Sequence, residues 1–69
     1  MKNTIKVERA KHDLTQAQLA ERVNVSRQTI NSIEIGKYVP STLLALKIAS
    51  VFNTTIQNIF TLEEKDWDG

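Results

Sequence analysis

Four side chains in the nine-residue stretch "SRQTINSIE", namely Arg27, Gln28, Asn31 and Ser32, are dense in hydrogen-bonding groups and poor in charge. Their types match the edges of nucleic-acid bases. Arg forks onto guanine O6 and N7, Asn or Gln pairs both ways with adenine N6 and N7, and Ser serves several bases. At about 100° per residue, Gln28, Asn31 and Ser32 fall on one side of a helix with Arg27 at its N-terminal edge, while Ile30, Ile33 and Glu34 cluster on the other. A solvated helix face ordinarily favours Glu and Lys, strong helix formers that cost little to expose. Amide and hydroxyl groups here therefore need a reason other than helicity. Arg27 adds to the case, because a cation in the first turn opposes the helix dipole.

Presenting this set requires a helix with a defined start and stop. Ser26 is a good N-cap, Ile30 and Ile33 form the apolar stripe, and Gly36 closes the segment. Upstream, Thr15-Gln16-Ala17-Gln18 has the spacing of a capping box, followed by the stripe Leu19, Ala20, Val23 and by Asn24 where a left-handed residue belongs. The first helix is expected from about Asn3 to His12, ending at Asp13. Pro40 breaks the chain, and Ser41 caps a longer helix with Leu44, Ile48, Ala49, Val51 and Phe52 as its apolar set and Asn53 as its end. Thr55 is expected to cap a last turn or two carrying Ile56, Ile59 and Phe60. Nothing in the first sixty residues alternates with period two over a useful length, although Phe60, Leu62 and Glu64 offer a short extended segment. The expected fold is all-α, five short helices with brief connections.

Gln16 to Val23, the turn Asn24-Val25-Ser26, and Arg27 to Ile35 together have the form of a helix-turn-helix unit, here spanning residues 16–35. In that geometry the N-terminal residues of the second helix reach base edges in the major groove. The segments "LTQAQLAERVNVSRQTINSIEIGKYVPS" and "LALKIASVFNTTIQNIF" resemble the Cro/repressor-type (XRE-type) helix-turn-helix regulators of prokaryotes and phages over roughly residues 5 to 60. The resemblance implies a compact five-helix bundle of the lambda-repressor-like type. Its implied function is transcriptional regulation, commonly repression, by a homodimer on a palindromic operator. By position it implies base contacts from Arg27, Gln28, Asn31 and Ser32 and phosphate contacts from Gln16 and Lys37. It also implies a buried structural ion pair between Arg9 and Glu34. Four positions depart from the family pattern: Glu8 replaces a core leucine, Ile35 a polar residue, and Asp13 and Asn24 stand where glycine is frequent.

Composition narrows the alternatives. Sixty-nine residues make one small domain, and with no cysteine and a single histidine neither disulfides nor a thiolate or multi-histidine metal site is expected. Without a nucleophile–base arrangement or a glycine-rich phosphate loop, no enzyme, cofactor or small-molecule ligand is implied. The longest apolar run cannot span a bilayer, and Met1-Lys2-Asn3 leads into no signal-peptide core, so a soluble cytoplasmic protein is expected. Before residue 61 eight basic residues face four acidic ones, giving +4; after it Glu63, Glu64, Asp66 and Asp68 face Lys65 alone, giving −3. A basic body suits double-stranded DNA as partner.

The division expected is therefore a DNA-binding domain over 1–60 and an acidic, solvated tail over 61–69 that doubles as a dimer contact. Leu43, Leu46, Val51, Phe60, Leu62 and Trp67 exceed what so small a core needs. They suggest a symmetric dimer through the C-terminal part, with strand-like pairing between copies near Thr61 to Glu64. The competing class is an antitoxin-type, protein-binding member of the same fold.

Overall fold

The computed structural model describes residues 1–68. In chain order its elements are β1 (Lys2–Asn3), α1 (Ile5–Lys11), α2 (Gln16–Val23), α3 (Arg27–Glu34), α4 (Thr42–Val51), α5 (Ile56–Ile59), β2 (Phe60–Thr61) and a closing 3-10 turn (Glu64–Trp67). The helix boundaries follow from local chemistry. Thr15 Oγ1 accepts the Gln18 N–H at 3.0 Å while Gln18 Oε1 accepts the Thr15 N–H at 2.9 Å, a reciprocal cap that starts α2. Ser26 and Ser41 cap α3 and α4 by accepting the N–H groups of Thr29 and Leu44. Asp13, Asn24, Asn53 and Gly36 all take positive φ, at 57°, 64°, 55° and 82°, and each reverses the chain after a helix. Short polar side chains and glycine tolerate that backbone best.

Ile5, Leu19, Ile30, Ile33, Ile48 and Ile59 are at most 1% exposed and form the centre of the core. Burying each such side chain contributes about 1.5–3 kcal/mol. Helix α2 packs against both α3 and α4, so α3 is held from behind by Ile30 and Ile33. Its other side is left open. Helix α1 buries only Ile5, and Glu8 lies at the core's margin, where it pairs with Lys11 at 3.3 Å. No helix among the described residues is long and apolar enough to cross a membrane.

The N-terminus departs from the sequence expectation. Asn3 does not open the first helix; Lys2 and Asn3 pair antiparallel with Thr61 and Phe60. Asn3 Oδ1 accepts the Ile5 N–H at 3.2 Å, and Asn3 Nδ2 donates to the Ile33 carbonyl at 2.9 Å. The strand exists because the far end of the chain pairs with it, a contact that local periodicity does not encode.

The C-terminal expectations change for the same reason. Extended structure covers Phe60–Thr61 alone, and Glu64 already belongs to the 3-10 turn. Thr61 pairs with Lys2 of its own chain, and Phe60 with Asn3. Phe60, 7% exposed, belongs to the core rather than to a free surface. Thr55 makes no side-chain cap; instead Asn58 Nδ2 donates to Thr54 Oγ1 at 2.8 Å.

The acidic tail is only half solvated. Glu63 and Asp66 hold the Met1 ammonium at 3.0 and 3.2 Å, while Glu64 and Asp68 are exposed. A hydrogen bond from the ammonium, ahead of charge attraction, depresses the Glu63 pKa. The Glu63 backbone N–H is the first cause of the Asp66 depression, and the bond to Glu63 raises the amine.

Candidate nucleic-acid interface

Arg27, Gln28 and Asn31 are exposed on the open side of α3, and Ser32 is half-buried at its flank. Ser32 also serves the backbone: its carbonyl accepts the N–H groups of Lys37 and Tyr38 at 2.9 and 3.2 Å, folding the turn that follows Gly36. Lys37 is exposed at the end of that turn. Both faces of α3 come from one periodicity, with isoleucines inward and amides outward, and the Ser26 cap fixes where the outward face begins.

Behind this face lies a polar relay. Arg9 Nε donates to Glu34 Oε2 at 2.7 Å and Arg9 Nη2 to Glu34 Oε1 at 3.1 Å, a two-pronged ion pair joining α1 to α3. The side chains are 14% and 7% exposed. Arg9 Nη1 donates in addition to the Leu14 carbonyl at 3.1 Å. The bond to Glu34 raises the Arg9 pKa further above its ordinary value. Gln16 Nε2 completes the chain, donating to Glu34 Oε1 at 3.3 Å and to Asn31 Oδ1 at 3.1 Å. Among the described residues no buried side-chain polar atom lacks a partner.

Gln16 is thus tied to α3 through its side chain, while its backbone N–H stands in the first turn of α2, where helical N–H groups have no intrahelical acceptor. That first turn borders an open cleft of about 440 Å³ whose walls include Thr15, Ala17 and, across from them, Arg27. The cleft combines the N-terminus of α2 with Arg27 and Arg9, and Asp13 also lines it.

Two features of the site lie outside the sequence reading. Ile35 sits eight residues after Arg27, which returns it to the open side, and it is 57% exposed. Its signal is the same 100° rotation carried one residue further. The Gln16–Asn31 bond has no sequence signal, since it depends on how α2 and α3 cross. His12 stands apart, its ring 5.2 Å from that of Phe52 and Nδ1 bonded to the Glu8 carbonyl at 2.9 Å. Among the described residues no three His, Asp or Glu side chains cluster as metal ligands.

Known proteins agree with this geometry. Residues 5–59 match the family model described as helix-turn-helix. An HTH-type transcriptional regulator of Methanocaldococcus jannaschii is 53% identical over 66 residues, covering 96% of this chain and all of that protein. The regulator YgzD of Bacillus subtilis is 48% identical over 66 residues, with the same coverage. Among solved structures, a SinR protein/SinI protein complex superposes with a TM-score of 0.73 at 26% identity, over 94% of this chain and 62% of that one. The clp gene regulator ClgR of Corynebacterium glutamicum shares the fold at a TM-score of 0.73 and 22% identity, over 78% of this chain and 57% of that one. From an open amide-bearing α3 set across α2, and from relatives of matching length, it follows that the chain belongs to the XRE-type helix-turn-helix family of DNA-binding transcriptional regulators.

Proposed function

We propose that α3 enters the major groove of double-stranded DNA and that Arg27, Gln28, Asn31 and Ser32 read base edges there. Gln16 and Lys37 fix the register on the phosphates. The observation that carries this reading is the division of α3: Ile30 and Ile33 are sealed in the core while three hydrogen-bonding side chains stand exposed on the other side. Backbone N–H groups at the start of α2 and the Lys37 ammonium supply positioning without sequence information. Ile35, at the far end of the same face, offers an apolar surface for a thymine methyl group.

The regulator acts as a homodimer on a palindromic operator and represses. One α3 covers only a few base pairs, too few to compete with about a million or more non-specific sites. Two copies with their α3 helices about 34 Å apart double the contacts on one face of the duplex. Leu43, Leu46, Leu62 and Trp67, each more than half exposed, supply the apolar surface for such a contact. Selection of bound oligonucleotides from a random pool, with sedimentation of the intact chain and of a truncation after Phe60, tests both parts. A two-fold symmetric motif and a dimer lost on truncation are expected. A monomer, or enrichment of no motif, refutes the reading.

The SinR/SinI complex favours a second reading, in which a protein partner covers the exposed apolar residues. Retention of one stoichiometric protein from cell extract, without a selected motif, would favour it.

A further inference from the structure

We propose that the part-buried Arg9–Glu34 ion pair sets the polarity of Asn31, so that this residue offers the groove only its Nδ2 donors and selects guanine rather than adenine. The inference rests on α3 lying in the major groove. A free asparagine pairs with adenine through both amide atoms, Oδ1 accepting from N6 and Nδ2 donating to N7. Asn31 is not free in that sense.

The orientation follows from groups that can act in one direction only. The Arg9 guanidinium can only donate, and the Glu34 carboxylate it grips can only accept. The atom of Gln16 that meets Glu34 Oε1 at 3.3 Å must therefore be Nε2, because Oε1 in its place would set two acceptors against each other. The same Nε2 has a second hydrogen, and it lies 3.1 Å from the Asn31 amide. The Asn31 atom facing it must then be Oδ1, since a reversed amide would oppose two NH₂ groups. The relay leaves Nδ2 as the outward group on an exposed side chain, and no acceptor among the described residues takes it. Guanine presents two adjacent acceptors, O6 and N7, to such a donor; adenine presents one acceptor beside a competing N6 donor.

Gln16 is in this account a positioning residue for base choice, beyond any phosphate contact it makes. The test uses the full chain and a random oligonucleotide pool. Comparing the sequences selected by the protein and by Asn31→Ala identifies the base pair that Asn31 reads. At that pair a guanine is expected, and replacing it by 7-deazaguanine should weaken binding about five- to tenfold. Removing the cytosine amino group opposite should change binding less than twofold. Gln16→Ala then releases the amide, and the preference for guanine over adenine at that pair should fall toward parity. Overall affinity also drops if the phosphate contact is lost, but the ratio at that pair is independent of it.

An adenine at that pair, with binding lost when its N6 amino group is removed, overturns the inference. So does a guanine preference that Gln16→Ala leaves unchanged, or an Asn31→Ala variant that selects the same sequence as the parent. Enrichment of no motif by the parent protein refutes the groove reading itself, and the inference falls with it.

Discussion

Truncating Glu34 to alanine is the most informative perturbation of the fold behind the site. Three hydrogen bonds end on its carboxylate: Arg9 Nε at 2.7 Å, Arg9 Nη2 at 3.1 Å and Gln16 Nε2 at 3.3 Å. With the carboxylate gone, the guanidinium of an Arg9 side chain that is 14% exposed keeps only the Leu14 carbonyl and limited solvent. Removing one partner of a buried pair typically costs about 3–5 kcal/mol. The residual solvent access of Arg9 places this case at the lower end, about 3 kcal/mol. A domain of this size shifts its melting temperature by about 4–8 °C per kcal/mol, so a drop of about 12–24 °C is expected.

Urea unfolding of Glu34→Ala, Arg9→Ala and the double variant gives the coupling directly, and it should amount to about 0.5–3 kcal/mol. Replacing both residues by apolar ones, Arg9→Met with Glu34→Leu, removes the stranded charge and should restore most of the lost stability. The exposed Glu64→Ala variant, away from this network, serves as the baseline and should change stability by about 0.5 kcal/mol or less. A Glu34→Ala protein within 1 kcal/mol of the parent would show that water solvates the stranded guanidinium, and the reasoning from burial would fail.

Arg27→Ala and Gln28→Ala should each lose about 1–3 kcal/mol of discrimination between the selected operator and random DNA, with unfolding curves unchanged. Equal selectivity in a competition gel-shift would remove the residue from base readout. Lys37→Ala should weaken binding to all sequences alike and reduce the slope of log K against log salt by about 1; an unaltered slope places Lys37 off the backbone. The tail gives a pH signature. Glu63 and Asp66 are depressed by the Met1 ammonium and the Glu63 N–H, so their contribution holds above the ordinary carboxylate range and fades as pH falls through their lowered values. The amine is raised above its ordinary 8.0, so its contribution holds below that and fades as pH rises through the raised value. Trp67 fluorescence, from the protein's single tryptophan, should be flat between about pH 5 and 8 and change on both sides, and Asp66→Asn should reduce the acid arm to the part that Glu63 contributes.

The helices were legible because their boundaries are written locally. Thr15 with Gln18, Ser26 and Ser41 each sit three residues before the N–H they satisfy, and Asp13, Asn24, Gly36 and Asn53 each stand one or two residues past a helix's last residue. A cap acts over a single turn, so a short window of sequence contains its whole physics. The two-residue strands contain no such physics. Lys2 and Asn3 carry no alternation, and their conformation is decided by Phe60 and Thr61 at the other end of the chain. The same distance hides the partner of Glu63 and Asp66, which is the Met1 ammonium. Four acidic residues near a terminus look like a solvated tail until the fold brings the opposite terminus to them.

At the interface, residue type was legible and residue direction was not. A rotation of about 100° per residue separates Gln28 and Asn31 from Ile30 and Ile33, and that is sufficient to say which side chains face outward. It says nothing about which end of an amide faces outward, because oxygen and nitrogen occupy nearly the same space and differ only in what they bond. That choice is made at Glu34, through Gln16, which lies on another helix. Arg9 comes from α1, Glu34 and Asn31 from α3, and Gln16 from α2, and they meet only once the three helices have packed. An apolar pair at positions 9 and 34 would fill the same volume, and burial alone gives no reason to prefer ions there. What an apolar pair cannot do is end a hydrogen-bond chain with a group that only accepts. The direction of both amides between Glu34 and the open side of α3 depends on that terminus, so the stability experiment on Glu34 and the base-choice experiment on Gln16 probe one network from its two ends.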